Sequence, residues 1–278
     1  MLVTAILWSL GGVLVKSVPW NPLAIAGVRS VVAALVVGAY MALRRIPFLV
    51  NRKTLSIMTS LVCVYVPFIA ATKLTTAANA IAIQFSAPLF VLLYNSIFGK
   101  KRLLMQDVLA VLFTTLGVVV CFLDDLGGGS LLGDLIALFS GVGFAAMLIC
   151  SGRATGEERV NGLLQGQALT ALIGMPFVFA LGYTLSAPTI WFLLALGVLQ
   201  VSVPYILYAI AARSCPPLAC ALLTSLEPLL NPVWVALFNG EIPGPLTLIG
   251  GVLVVASVTC WCVLDGKRAR REAAQTAA

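Results

Sequence analysis

Five polar or aromatic residues recur at helical spacing in the apolar stretch between Pro217 and Phe238. They lie 4, 3, 4 and 3 residues apart, so that a helix would carry them on one face: Cys220, Thr224, Glu227, Asn231 and Trp234. The other faces of this helix are mostly Leu, Ala, Val and Phe, which suit lipid. A carboxylate on such a helix must face protein or a watery cavity, because exposing a charge to lipid is costly. The stripe therefore predicts a polar site inside a membrane protein.

The composition of the whole chain agrees with this prediction. Of its 278 residues, 61% are hydrophobic and 10% are charged, whereas soluble domains carry about 25% charged residues. A spanning helix needs about 17–25 predominantly apolar residues. Ten segments meet this need: 2–17, 22–43, 54–73, 75–98, 103–123, 131–152, 160–184, 189–211, 217–239 and 244–264. We expect an all-α integral membrane protein with ten transmembrane helices, whose first segment is a membrane helix rather than a cleaved signal.

Several function classes are disfavoured by residues that the sequence lacks. It has no His, which removes His-ligated zinc and His-dependent general bases. The seven Cys lie mostly in apolar segments without a CxxC pair, so we predict no disulfide framework, metal or cofactor. There is no P-loop, HExxH, GxSxG or pair of intramembrane aspartates, so we predict neither ATP hydrolysis nor an enzyme. The net charge of +7 comes mostly from loops, and without a soluble domain we expect no nucleic-acid binding.

The distribution of Lys and Arg predicts the orientation in the membrane. With the N-terminus inside, the outer side carries only Lys16 and Lys73. The inner side carries fourteen cations: Arg44, Arg45, Arg52, Lys53, Lys100, Lys101, Arg102, Arg153, Arg159, Arg213, Lys267, Arg268, Arg270 and Arg271. By the positive-inside rule, both termini are expected in the cytoplasm.

Short motifs of the first half return in the second half. Three pairs carry this repeat: Val64-x-Val66-Pro67-Phe68 with Val201-x-Val203-Pro204-Tyr205, Ala87-Pro88-Leu89 with Glu227-Pro228-Leu229, and Trp8-Ser9 with Phe139-Ser140. The repeats cover residues 1–123 and 131–264, and residues 265–278 form a basic tail. Each repeat holds five helices, an odd number, so the two must have opposite orientations. Such 5+5 inverted repeats place a substrate site near the midplane and give alternating access.

Overlaying helix 4 on helix 9 aligns two polar faces. Gln84 matches Thr224, and Tyr94 matches Trp234. We expect the faces to meet across a cavity suited to a small zwitterion or polar metabolite; polar contacts that only join helices are the alternative. Helices 1, 3, 6 and 8 supply further candidates for the lining of this pocket: Trp8, Ser9, Tyr65, Ser140, Gln200, Tyr205 and Tyr208.

Two charges lie deep in the predicted membrane segments. Glu227 is about 15 Å along helix 9 at 1.5 Å per residue, and Arg29 is the only deep cation. Three roles are possible for Glu227: it forms a structural ion pair with Arg29, it is a protonatable coupling site, or it binds a substrate amine. Four charges near helix ends are expected to be interfacial: Lys16, Lys73, Asp107 and Asp134.

Four prolines fall inside predicted helices at positions that the repeat pairs. Pro67 matches Pro204, and Pro88 matches Pro228. Because proline removes a helical hydrogen bond and favours a kink, they are either hinges for gating or fixed kinks that shape the cavity.

Motifs along nearly the whole chain resemble those of the EamA-type drug/metabolite transporters. These motifs are Ala70–Ala80, Ala87-Pro88-Leu89-Phe90, Gly117-Val118, Gly133-Asp134-Leu135, Leu226-Glu227-Pro228, Gly240-Glu241, Gly250, and Arg29 in the second helix. The resemblance implies a ten-helix inverted repeat that exports small metabolites. Asn79, within the first motif, joins the candidate substrate-binding residues. One departure is Gly99-Lys100, which stands after helix 4 where Gly240-Glu241 stands after helix 9.

Within this family the chain looks most similar to the aromatic amino-acid exporters. The resemblance implies an amino-acid substrate, a bacterial inner-membrane location, a proton as candidate coupling ion, and a monomer or homodimer. Export or exchange of another polar metabolite, such as a sugar, nucleoside, sugar phosphate or drug, is the alternative. Phosphorylated substrates rank lower because they favour several cations, and Arg29 is alone at depth. An intramembrane enzyme is disfavoured because the sequence lacks catalytic motifs. An assembly protein is disfavoured because it would leave the polar stripes unexplained.

Overall fold

The computed structural model describes residues 2–98, 104–125, 130–184, 186–211 and 226–277. Cys220 and Thr224 of the predicted stripe lie outside these ranges. All regular secondary structure within them is helical, in agreement with the predicted all-α class.

Helices of the first half begin and end close to the predicted segments. They are α1 (Leu2–Ser9), α2 (Gly11–Ser17), α3 (Pro22–Leu43), α4 (Arg52–Leu74), α5 (Ala77–Gln84), α6 (Ala87–Ile97) and α7 (Met105–Asp125). Those of the second half are α8 (Leu131–Gly152), α9 (Gly156–Leu181), α10 (Ala187–Ala195), a π-helical segment (Leu196–Ser202), α11 (Val203–Ala211), α12 (Leu226–Asn239) and α13 (Pro245–Ala277).

The lengths and composition of these helices are those of a multi-pass membrane protein. Within the described residues, seven helical stretches are long and apolar enough to cross a bilayer: Pro22–Leu43, Arg52–Leu74, Ala77–Tyr94, Leu131–Gly152, Gly156–Leu181, Ala187–Tyr208 and Pro245–Arg268. Two shorter apolar stretches, Leu2–Ser17 and Met105–Cys121, add to them. The count of ten spans and the position of the termini stay predictions.

Three segments predicted as continuous helices are interrupted. The first breaks between α1 and α2, just before Gly11 and Gly12, where glycine weakens a helix. The fourth breaks between α5 and α6, and Pro88 stands in the first turn of α6. Proline is tolerated there because the first N–H groups of a helix have no partner within it. The eighth changes to π-helical winding before Pro204. Interruptions of this kind are frequent at functional sites.

The other two predicted hinge prolines lie in unbroken helix. Pro67 is inside α4, which stays continuous from Arg52 to Leu74. Pro228 stands in the first turn of the described part of α12, and Pro232, which the repeat did not single out, is inside that helix. Whether any proline acts as a hinge stays a prediction.

Two groups of helices flank the centre. The α4 group consists of α4, α5, α6 and α8, and the α1 group consists of α1, α2, α11 and α12. Between them α3 and α9 pack closely together, because a Cβ on Gly27 would come within 2.6 Å of the Gly174 backbone. The remaining long helices, α7 and α13, pack on each other and on α5. This arrangement brings α1, α3, α4, α9 and α11 to one central region.

Candidate functional site

Arg29 lies at the centre of the described helices, two turns into α3. Its side chain is 1% exposed. Nη1 donates a hydrogen bond of 3.2 Å to Oε1 of Gln200 in the π-helical segment. The guanidinium carbon lies 4.9 Å from the centroid of the Tyr65 ring, a cation–π contact. Nε and Nη2 are buried and have no hydrogen-bond partner.

Four aromatic residues gather beside Arg29. We call them the aromatic cluster: Trp8, Tyr65, Tyr205 and Tyr208. The ring centroids of Trp8 and Tyr205 are 5.4 Å apart, those of Trp8 and Tyr208 are 5.9 Å apart, and those of Tyr65 and Tyr205 are 6.4 Å apart. These distances are typical of attractive aromatic pairs. Residues that are far apart in sequence thus form one polar-aromatic surface.

Gln84 and Ser140 meet where α5 ends against α8. Nε2 of Gln84 donates to Oγ of Ser140 at 2.6 Å, and that hydroxyl donates to the Val64 carbonyl at 3.0 Å. Both side chains are buried. This contact joins α5 to α8. Gln84, which was predicted to bind substrate, makes a hydrogen bond between helices in this conformation.

Asn231 and Trp234 meet Ser9 where α12 lies against α1. Nδ2 of Asn231 donates to the Ser9 carbonyl at 3.1 Å, and Nε1 of Trp234 donates to the Ser9 hydroxyl at 2.9 Å. This approach depends on Gly12 of α2 having no side chain, because a Cβ there would lie 2.5 Å from Oδ1 of Asn231. The two stripe residues Asn231 and Trp234 therefore face α1.

The structural pair between Arg29 and Glu227 is not formed. The ion pairs of the described residues are Lys16–Glu241 and Lys53–Glu158. Arg29 is instead hydrogen-bonded to Gln200, which lies in the π-helical segment. The pair is thus absent from this conformation, and the interpretations of Glu227 as a structural partner, a coupling site or an amine site stay predictions.

Two predicted site residues lie away from this centre. Tyr94, in α6, packs on Phe98 with centroids 5.0 Å apart and lies under the Arg153 guanidinium at 5.6 Å. Asn79, in α5, donates to Oδ1 of Asp134 at 2.5 Å. Asp134 is fully buried in the first turn of α8, and its interfacial depth stays a prediction.

Lys16 and Glu241 join the two helix groups at one end of the molecule. Nζ of Lys16 lies 2.6 Å from Oε2 of Glu241 and donates to the Thr75 carbonyl at 3.0 Å. Oε1 of Glu241 accepts the Ala77 amide at 2.7 Å and so caps α5. Gly240, with φ of 69°, turns the chain after α12 toward this position.

Lys73 adds a second link between the groups at the same end. Its Nζ donates to the Val18 carbonyl at 2.5 Å. We call the residues of this end the Lys16 seal: Lys16, Lys73, Thr75, Ala77 and Glu241. Beneath the seal, Val13 and Val235 pack against the Ala77 side chain in a small buried cluster. Lys16 and Lys73 were expected to be interfacial, and their links across the groups were missed because nothing in the sequence brings those segments together.

The opposite end of the two groups is arranged differently. Within the part of the chain that the structure describes, α6 has no extended packing against α1, α11 or α12. By contrast, α5 packs on both α2 and α12 at the sealed end. Hydrogen bonds that join the described parts of the two groups thus lie at the Lys16 seal.

A narrow cleft between α6, α7 and α13 lies elsewhere. It is lined mostly by apolar side chains, among them Leu89, Leu92 and Trp261. Because it offers few polar groups, it is a packing gap rather than a site for a polar metabolite. Among the described residues, no group of three His, Cys, Asp or Glu side chains could hold a metal.

Gln167 is a central residue that the sequence reasoning missed. It lies in α9, is fully buried, and both of its side-chain polar atoms lack hydrogen-bond partners. Gln165-Gly166-Gln167 interrupts an apolar segment, and this local signal could have identified it.

Comparison with protein families agrees with the membrane architecture and the motifs. The model of the EamA-like transporter family matches residues 1–123 and again 131–261. The chain belongs to this family. The family and its transport character confirm the resemblance seen in the sequence, and they favour a transporter over an enzyme.

Curated relatives are amino-acid exporters. The threonine/homoserine exporter RhtA of Escherichia coli (strain K12) is 28% identical over 188 residues, which are 64% of this chain and 60% of the relative. The protein of the same name from Salmonella typhimurium (strain LT2) is 26% identical over 186 residues, with the same coverage. The match thus spans about 60% of the relatives' length. A protein of known crystal structure shares the fold, with a TM-score of 0.68, 19% identity and 96% of both chains covered.

Proposed function

We propose that this protein exports amino acids across the bacterial inner membrane by secondary transport. The observation that carries the proposal is the buried centre of an EamA-family membrane protein, where Arg29, Gln200 and the aromatic cluster come together. Cation, amide and aromatic groups in one buried region suit a zwitterion with an apolar side chain. The names of the curated relatives point to the same class of substrate.

The 5+5 inverted repeat is part of the proposal. Ser9 and Ser140 occupy equivalent places in the two repeats. Ser140 receives a hydrogen bond from α5, and Ser9 receives one from α12. The donors come from opposite repeats, Gln84 from the first and Trp234 from the second. Two family matches, over 1–123 and 131–261, support the same division.

We propose alternating access on the basis of the two ends of the molecule. The Lys16 seal lies at the end predicted to be outside, whereas toward the end predicted to be inside the described part of α6 has no extended packing against α1, α11 or α12. We infer an inward-facing state, from which export requires the seal to part and the opposite ends to close. The links of Lys16 to Thr75, of Lys73 to Val18 and of Glu241 to Ala77 are those that must break.

The side-chain specificity is proposed to be aromatic or otherwise hydrophobic. The Tyr65 ring lies against Arg29, and Tyr205, Trp8 and Tyr208 extend the cluster from it. Ring edges and faces attract aromatic substrates. Threonine and homoserine, named for the relatives, are the competing substrates. Both kinds belong in the same assay.

The test is uptake of labelled phenylalanine, tryptophan, threonine and homoserine into proteoliposomes, with and without a pH gradient. We expect saturable flux of at least one amino acid in the wild type. The control is Glu157→Gln, an exposed carboxylate at the first turn of α9, which should leave the flux unchanged. Folded protein that moves none of these amino acids would contradict the proposal.

Glu227→Gln distinguishes the hypothesis that Glu227 carries a coupling proton from the hypothesis that it binds the substrate amine. If the carboxylate carries the coupling proton, the variant should keep flux driven by a substrate gradient and lose the response to pH. If it binds the substrate amine, the variant should lose flux in both conditions. A variant that behaves as the wild type would remove Glu227 from the mechanism.

A further inference from the structure

The hydrogen bonds of Arg29 leave one edge of its guanidinium free. Of the side-chain nitrogens, Nη1 donates to Gln200. The Tyr65 ring covers one face of the plane, 4.9 Å from the guanidinium carbon. Nε and Nη2 remain, both buried without a hydrogen-bond partner. Their N–H groups point the same way from one edge, which is the fork that accepts a carboxylate in two parallel hydrogen bonds.

Such an edge is costly unless something binds it. A buried charged donor without a partner loses its hydration and gains nothing in return. Gln200 and Tyr65 are neutral, so they fix the guanidinium plane and leave its charge uncompensated. The ion pairs of the described residues are Lys16–Glu241 and Lys53–Glu158, and neither involves Arg29.

Neighbouring groups also lack partners. Among the described residues, the Tyr65 hydroxyl and both polar atoms of Gln167 are buried without a hydrogen bond of good geometry, although the hydroxyl lies near Gln167 and Tyr205. Arg29, Tyr65 and Gln167 thus present donors and acceptors from α3, α4 and α9. Gln200 stands in a π-helical segment, and such segments frequently mark functional sites.

We propose that Arg29 binds the carboxylate of the transported molecule through Nε and Nη2, with Gln200 and Tyr65 as positioning residues. The inference rests on the proposed function and names the carboxylate as the substrate group that the central site recognises. A single cation with one free edge fits one carboxylate, whereas phosphorylated compounds favour several cations. The site should therefore reject amines and amides that resemble amino acids but carry no carboxylate.

The test compares acids with their amides on the purified wild-type protein. Binding of L-phenylalanine, L-threonine, L-phenylalaninamide, L-threoninamide and 3-phenylpropionate is measured by competition with labelled phenylalanine or threonine and by the shift in melting temperature. Each amide keeps the shape and the amine of its acid. We expect the amides to bind at least about 30-fold more weakly, as for other buried charge pairs that lose one partner.

Arg29→Gln provides the second arm. We expect the variant to bind acid and amide within about threefold of each other, because both now face a neutral side chain. Glu157→Gln is the matched control and should keep the wild-type ratio. If Arg29→Gln does not fold, the acid–amide ratio of the wild type decides alone.

The outcomes distinguish this inference from the proposed function. Equal binding of acid and amide by the wild type would overturn the carboxylate site and leave amino-acid transport standing. Binding of 3-phenylpropionate without any amino acid would support the carboxylate site and overturn the amino-acid proposal. No binding of any acid to folded protein would overturn both.

Discussion

Lys16 and Arg29 are two poorly exposed cations of this protein in contrasting situations. Lys16 has a carboxylate 2.6 Å away on Glu241 and a carbonyl acceptor on Thr75. Arg29 has one neutral acceptor, Gln200, and two donors without a partner. Lys16 joins two groups of helices, whereas Arg29 lies between them with its plane fixed.

The difference separates holding a conformation from binding a ligand. A charge whose donors are satisfied by protein stabilises the state in which those partners meet. A buried charge that lacks them gains most from a molecule that brings the missing acceptors. Substitutions at the seal should therefore change the balance of conformations, and substitutions around Arg29 should change substrate affinity.

The largest effect is expected from Glu241→Ala, which removes the partner of Lys16 and the cap of α5. A hydrogen bond to a charged group contributes about 1.5–3 kcal/mol, so the sealed state should lose about tenfold or more in population. The measurement is the labelling rate of Val13→Cys, buried beneath the seal, by an impermeant thiol reagent. The seven native cysteines are replaced beforehand.

Glu157→Ala, at the other end of the molecule, is the matched control for Glu241→Ala. Its carboxylate is exposed at the start of α9, so labelling of Val13→Cys should stay unchanged. Equal labelling in the Glu241 and Glu157 variants would show that the ion pair does not hold the seal.

A smaller effect is expected from Gln200→Leu, which removes the acceptor of Arg29 Nη1. The guanidinium would lose its fixed plane, and substrate affinity should fall about tenfold, near the lower range for a hydrogen bond to a charged group. Binding of labelled phenylalanine or threonine measures this loss. Val13→Cys labelling should not change, and a change in labelling without a loss of affinity would reverse the roles assigned to the two regions.

The smallest effects are expected at Tyr65. Tyr65→Leu removes the ring under Arg29, and a cation–π contact of about 0.5–2 kcal/mol predicts a severalfold loss of affinity. Tyr65→Phe keeps the ring and should bind within about twofold of wild type if only the face matters. A larger loss in Tyr65→Phe would assign the hydroxyl to the substrate.

Much of the polar centre could be predicted from sequence because it depends on local patterns. Trp8, Tyr65, Gln200 and Tyr205 stood out as polar or aromatic residues in apolar helices, and the structure brings them together. Tyr94 stood out for the same reason and lies elsewhere, against Arg153. Spacing identifies the face of a helix, but not which neighbour that face meets.

The sequence by itself determined the membrane class, the family and the helices that carry polar groups, because hydropathy and spacing are properties of each segment alone. Only the tertiary structure decided that Gln200 rather than Glu227 contacts Arg29, and that Lys16 reaches the Thr75 carbonyl across the two groups. Those pairings depend on the rotation and depth of each helix against its neighbours. Close approaches such as that of Gly27 to Gly174 set both, and no single segment encodes them.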